Sequence, residues 1–272
     1  MLKQRIYTGV ILIILLLLCI FYLPAGGFAL VTAFIVLLGA WEWTRLIKIV
    51  SIPWRVLYLV VTAGILWLLW QLPEMLVLAL AVLSWLPLIY LVFRPAHRAI
   101  LLDSKGIAYS SGVWLLATTW YSLNFIRMQP HGILTLLILI LIICGADTGA
   151  YFVGRKWGKR KLAPQVSPGK SIEGVFGGMI VAIVVAAIMG LWIVNTPLQY
   201  GYFLGLALLT AMLSVVGDLF ESLIKRHAGV KDSGNILPGH GGILDRVDSL
   251  MSAAPFFALG LLFLGFLGKG HV

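Results

Sequence analysis

ILTLLILILIICGADTGAYFVG, residues 133–154, is long enough to cross a bilayer and carries one carboxylate, Asp147, in its second half. A spanning helix needs about 20 mainly apolar residues. An acid near the centre of such a helix costs roughly 3 kcal/mol on insertion scales. Arg155 and Lys156 follow at once. The run therefore reads as a transmembrane helix that ends at a basic interface and holds an acid a short way beneath it.

Eight more segments meet the same length test: 6–23, 28–47, 55–72, 75–93, 107–126, 174–194, 200–224 and 247–267. The breaks between them carry turn chemistry, among them Pro24, Pro53, Pro73, Pro95, Pro130 and Pro197. The whole chain is 61% hydrophobic and 11% charged, against about 25% charged in a soluble domain. That excludes a large soluble core. The expected fold is all-α, a polytopic integral membrane bundle of about nine transmembrane helices in a single domain, 1–272. Residues 1–132 form the N-terminal helices, facing lipid or serving oligomerisation. Residues 133–272 form the half that holds the chemistry. The first apolar run, Ile6 to Leu23, exceeds the 7–15 residues of a signal-peptide core and reads as a retained helix. Segment 107–126 is rich in hydroxyls (Tyr109, Ser110, Ser111, Thr118, Thr119, Ser122). It reads as a helix packed between others, with the lining of a wet cavity as the alternative. Cys19 and Cys144 lie in apolar runs and read as packing residues.

Basic residues set the expected orientation. With the N-terminus inside, eighteen of the twenty Lys and Arg residues fall on the inner side, and only Arg127 and Lys269 fall outside. Positive residues favour the cytoplasmic side, so the bundle is expected N-in and C-out. Loops 155–173 and 225–246 are then cytoplasmic. The net charge of +10 reflects basic residues placed in alternate short loops along the chain, and no nucleic-acid partner is expected. Trp41, Trp43, Trp54 and Trp157 lie near the boundaries and read as an aromatic belt.

Half of the ten acidic residues fall in GDLFESLIKRHAGVKDSGNILPGHGGILDRVDS, 217–249. Asp218, Glu221, Ser222 and Lys225 stand at i, i+3, i+4 and i+7, and so do Asp245, Asp248, Ser249 and Ser252. Each set makes one polar stripe on an apolar helix. Asp218 lies seven residues before Lys225, about 10 Å at 1.5 Å per residue, and Asp147 lies about 12 Å before Arg155. Asp147, Asp218 and Asp248 can therefore share one layer on the inner side. Clustered carboxylates are hard-oxygen ligands for Mg²⁺, and one cation or two can flank a displacement at phosphorus. Lys170, Lys225, Arg226 and Arg246 would meet phosphate oxygens. The pattern points to metal-assisted phosphate chemistry at the membrane surface. Turn Pro238-Gly239-His240-Gly241-Gly242 reads equally as an anion-binding nest or a tight reversal before the next helix. Gly169-Lys170-Ser171 lacks the upstream Gly of a P-loop, since position 164 is proline. It reads as a helix start, with Ser167 as cap and Pro168 at the first position. That start is either aimed at an anion or an ordinary interfacial cap.

Ser222, Lys225-Arg226, Lys231-Asp232, Pro238, His240-Gly241-Gly242, Asp245-Arg246 and Asp248 are spaced without a gap as in the phosphatidate cytidylyltransferase (CDP-diacylglycerol synthase) family, which this chain resembles. Block 146–174 is similar to that family too, so the resemblance covers about the last half of the chain. It implies a nucleotidyltransferase of phospholipid biosynthesis that converts CTP and phosphatidate to CDP-diacylglycerol and pyrophosphate with Mg²⁺. It also implies a cytoplasm-facing site in the membrane and a homodimer; a bacterial inner membrane is expected instead from the compact size and the lack of a targeting tail. The expected roles combine this with the stripes. Asp218, Asp245, Asp248 and Asp147 hold metal. Lys225, Arg226 and Arg246 join the first three in the catalytic set. Lys170, Ser171, Ser222, Lys231, His240, Gly241 and Gly242 contact substrate. A CTP-dependent kinase of lipid alcohols and an ion-coupled transporter are the rival readings.

Overall fold

The computed structural model of the chain describes residues 2–94 and 104–269. Pro95 and Arg98 lie outside the described residues, as do the side chains of Lys3, Arg5 and Lys269. The described residues form nine helices and one short hairpin. The helices are α1 (Leu2–Tyr22), α2 (Ala25–Leu46), α3 (Ile52–Gln71), α4 (Glu74–Phe93), α5 (Lys105–Met128), α6 (Gly132–Trp157), α7 (Ile172–Gly190), α8 (Pro197–Ala228) and α9 (Leu244–Lys269). Strands β1 (Lys161–Ala163) and β2 (Ser167–Ser171) pair antiparallel between α6 and α7. The chain is thus an all-α polytopic membrane protein, with a helix at each of the nine expected segments.

Seven of these helices are long and apolar enough to cross a membrane. In α1 the apolar part, Ile6–Tyr22, is shorter. Helix α5 falls short in apolarity because it is sheathed by protein: it packs on α2, α3, α4, α6 and α9. Its hydroxyls are satisfied within the helix, Thr119 Oγ1 donating to the Leu115 carbonyl at 2.6 Å and Ser122 Oγ to that of Thr118 at 2.7 Å. The packed-helix reading describes the stretch from Gly112 to Ile126, whereas Tyr109, Ser110 and Ser111 line a cavity. At Gly112 a side chain would run into Trp43 and the Tyr58 hydroxyl.

Helices α6 and α7 approach through small residues. A Cβ at Gly149 would lie 2.7 Å from the Gly177 carbonyl oxygen, the close backbone contact that small residues permit in membranes. Helix α8 begins with a capping box, Thr196 and Gln199, and ends at Gly229, whose φ of 78° suits the left-handed C-terminal position. At 32 residues it is about 48 Å long, beyond the ~30 Å of a hydrocarbon core. It pairs with α9, where Ser252 Oγ donates to the Leu213 carbonyl at 2.6 Å.

Three expectations need correction. The stretch 167–171 is a strand, not a helix start. Ser171, not Ser167, caps the following helix, its Oγ accepting from the Gly174 amide at 3.1 Å. Pairing of Lys161 with Ser171 and of Ala163 with Ser167, with Ala163 and Val166 buried, holds the hairpin closed. Nor is Trp43 part of a belt. It is fully buried, donates Nε1 to the Ala108 carbonyl at 3.0 Å and stacks on Phe220. Trp54 and Trp157 are exposed, as a belt requires. Cys144 is exposed rather than packed inside.

Candidate active site

The stripes on α8 and α9 face each other. Lys225 is the hub. Its Nζ pairs with Glu221 one turn earlier and with Asp245 Oδ1 across the helix pair at 2.6 Å. Glu221 is wholly buried and Lys225 nearly so, and a buried charge persists only with such partners. The second oxygen of Asp245, Oδ2, accepts from the Ser233 amide at 2.9 Å, the Ser233 hydroxyl at 2.9 Å and the Gly242 amide at 2.8 Å. Asp245 therefore ties the loop between α8 and α9 to the buried lysine. It is expected as a metal ligand, yet both its oxygens are engaged here.

On the other side of the stripe, Lys170 reaches from β2 to α8 and meets Asp218 Oδ2 at 2.6 Å. The Ser222 hydroxyl donates to Asp218 Oδ1 at 3.2 Å. The hairpin thus serves to carry a lysine over the acid layer. It is held by Glu173, which accepts from the Lys159 and Arg160 amides at 3.1 Å and pairs with the Arg160 side chain. Asp248 is half-buried, its Oδ1 accepting from the Ser249 amide at 2.7 Å. It lies within electrostatic reach of Asp218, Lys225 and Lys170. Asp147 on α6 feels Lys170 and Asp218 in the same way. Of the three acids of the expected layer, Asp218 is the one that meets Lys170 directly. Among the described residues, no three acidic, histidine or cysteine side chains come close enough together to hold a metal ion.

The loop itself is tightly built. Gly239 and Gly241 adopt φ of 75° and 80°, a region that favours glycine. The Leu237 amide donates to the Gly241 carbonyl and the His240 amide to the Leu237 carbonyl, each at 2.9 Å. With Gly242 donating to Asp245, two amides of the 238–242 turn are engaged within the loop. Arg246 Nη2 donates to the His240 carbonyl at 2.9 Å. Asp232, Asn235, Leu237–Gly241 and Arg246 line a polar cavity of about 630 Å³. Helix α1 meets this loop: Thr8 Oγ1 donates to the Pro238 carbonyl at 3.0 Å, and the His240 ring lies against Gly9. Arg226, in the last turn of α8, and Lys231, on the loop, are exposed, and Ser171 is buried in its capping role. A larger cavity, about 1080 Å³, opens between α3, α4 and α5 and holds none of the acids.

One residue escaped the sequence reading. Glu42 of α2 is buried, and its Oε2 accepts from the Ser233 hydroxyl at 3.1 Å and the Leu244 amide at 2.9 Å. Its signal was present in the sequence: an acid inside an apolar run, the same cost that singles out Asp147.

Intramembrane acids, paired lysines and a clasped glycine loop make up the candidate site of this polytopic helical bundle. The chain belongs to the cytidylyltransferase family, which it matches over residues 3–264, and it is accordingly an integral membrane nucleotidyltransferase. It is 40% identical to the phosphatidate cytidylyltransferase of Pseudomonas aeruginosa, over 95% of this chain and 96% of that one. The protein of the same name from Haemophilus influenzae is 36% identical, over 97% and 100%. The one from Bacillus subtilis is 42% identical, over 57% of each chain. The likeness therefore includes the N-terminal helices, where the sequence motifs alone reached only the last half.

Proposed function

We propose that the chain is a phosphatidate cytidylyltransferase, joining CTP and phosphatidate into CDP-diacylglycerol with release of pyrophosphate. The observation that carries this is the Lys170–Asp218 bridge on the same helix as the buried Lys225–Glu221–Asp245 cluster, in a chain similar to phosphatidate cytidylyltransferases over 95–97% of its length. The phosphatidate phosphate attacks the α-phosphorus of CTP in line. A new P–O bond forms to the lipid phosphate, the bond to the β-phosphate oxygen breaks, and pyrophosphate leaves with that electron pair. Such a transfer depends on positioning and charge stabilisation rather than a covalent protein group.

Lys170 exchanges its carboxylate partner for a substrate phosphate, and Arg226 and Arg246 meet the outer phosphates from the helix ends that flank the loop. Lys225, fixed by Glu221 and Asp245, holds positive charge beneath the reacting phosphorus. Asp218 and Asp248 have the hard oxygens that suit Mg²⁺, which needs only one or two carboxylates beside water and substrate phosphates; with Asp147 they do not stand close enough to form a three-acid site. Asp245 instead keeps Lys225 and the loop in place. When bound, the ion would neutralise triphosphate charge and stabilise the leaving pyrophosphate. His240, Gly241 and Gly242 shape the nucleotide cavity, with Lys231 and Ser222 at its margins. The acyl chains remain in the bilayer.

The reading includes a site facing the cytoplasm, N-terminus in and C-terminus out, supported by the bias of eighteen basic residues to two. A bacterial inner membrane is supported by the sources of the relatives. A homodimer rests on the family resemblance, and the mass of the detergent-solubilised protein tests it. The decisive experiment is purified protein in detergent with phosphatidate, Mg²⁺ and CTP labelled at the α-phosphate. Label in a cytidine-containing lipid, with matching pyrophosphate, is expected. Label entering lipid only from the γ-phosphate would make the enzyme a lipid kinase and overturn the reading.

A further inference from the structure

Glu42 stands in α2, far in sequence from the motif-bearing loop, yet its carboxylate is built into that loop. Oε2 accepts from the Leu244 amide at 2.9 Å. Leu244 opens α9, and the first amides of a helix have no partner within it. A carboxylate there both fills one vacancy and faces the positive end of the helix dipole. Oε2 also accepts from the Ser233 hydroxyl at 3.1 Å. That hydroxyl lies 2.9 Å from Asp245 Oδ2. A single wholly buried serine thus sits between an acid from each half of the chain. Contact continues through Asp245 to Lys225 and Glu221.

The surroundings fit this role. A Cβ at Gly234 would strike the Glu42 carboxylate, and one at Gly242 would strike Glu42 and Ser233. The two glycines make room for the acid. Glu42 is 3% exposed, and its Oε1 is buried without a hydrogen-bond partner. Leaving a buried polar atom unpaired costs about 1–3 kcal/mol, which only the tight seat of Oε2 on the loop offsets. Around it, Trp43 stacks on Phe220 of α8, and Gly39 lies against Leu244. The face of α2 that bears Glu42 is docked on both helices of the acid stripes.

We propose that Glu42 is a positioning residue for cytidylyl transfer: α2 fixes, through it, the Ser233–Leu244 segment and hence where Asp245, Lys225 and Asp248 stand. This rests on the activity proposed above, so the wild-type protein is assayed first; if it makes no cytidine-containing lipid, that reading fails before this one is tested. Glu42→Ala should lower kcat by about tenfold or more, the scale on which outer partners of a site act, with a smaller change in KM for CTP. Glu42→Gln keeps an oxygen for Leu244 and Ser233 and should restore kcat to within about threefold of wild type. Hydrogen exchange supplies the readout independent of activity. Amides of 230–243 should exchange faster in Glu42→Ala but not in Glu42→Gln, while α8 and α9 stay protected. Ser233→Ala leaves α2 intact and should give the same pattern at smaller amplitude. It carries the test if Glu42→Ala does not accumulate. Wild-type kcat and loop exchange in Glu42→Ala would overturn the proposal. So would loss of protection across every helix, which would make Glu42 a general support, or failure of Glu42→Gln to restore the rate.

Discussion

Lys225 faces two carboxylates from inside the bundle, and removing it would strand one of them. Breaking a buried pair by deleting one partner costs about 3–5 kcal/mol, whereas replacing both with apolar groups is often neutral. Lys225→Met should therefore lower thermal stability in detergent markedly. Lys225→Met with Glu221→Leu should recover much of it while leaving turnover abolished. Stability and rate, measured side by side, separate the structural and chemical roles of this lysine. At Asp218 and Asp248 the expectation is the reverse. Both are only partly buried, so Asp218→Asn or Asp248→Asn should leave protein levels unchanged. Each should reduce kcat by about 100-fold or more, the scale of losing a group that stabilises transition-state charge. A wild-type-like rate in either variant would remove that residue from the site.

Among the elements, the α6–α7 seam sets where Asp147 and the hairpin can stand. Gly149 and Gly178 each face backbone of the opposite helix, Gly149 the Gly177 carbonyl and Gly178 that of Ala146. Gly149→Val would have to push the helices apart. Overpacking of this kind costs about 1–3 kcal/mol. The variant should show a lower unfolding temperature and, because Asp147 and Lys170 flank the seam, reduced activity at permissive temperature. Helix α8 shows how length serves function. An untilted helix crosses ~30 Å of hydrocarbon in about 20 residues, so one starting at Pro197 has nearly completed its crossing at Gly217. Its acid stripe then begins where water and headgroups are within reach. The hairpin was not legible in the sequence because Ser167-Pro168 satisfies the rules for a helix start. Pairing with Lys161–Ala163 overrode that local preference, and Glu173 holding the Lys159 and Arg160 amides fixed the entry to β1.

For the whole molecule, orientation is the property most open to direct test. With Cys19 and Cys144 replaced, Lys231→Cys should react with a membrane-impermeant thiol reagent only from the cytoplasmic side. Gln129→Cys should react only from the opposite side, and the reverse pattern would invert the topology. The sequence by itself determined that the chain is a set of membrane-crossing helices, because apolar length and charge placement are local properties read one segment at a time. It also determined which residues form the acid stripes, since helical spacing alone puts them on one face. Tertiary structure decided what those residues do to one another. Asp245 became a clasp for Lys225 and Ser233, Lys170 reached Asp218 from a strand, and Glu42 crossed from the other half of the chain to hold the loop. Those outcomes depend on which helices become neighbours, and neighbours distant in sequence are chosen by packing over the whole bundle, not by any local pattern.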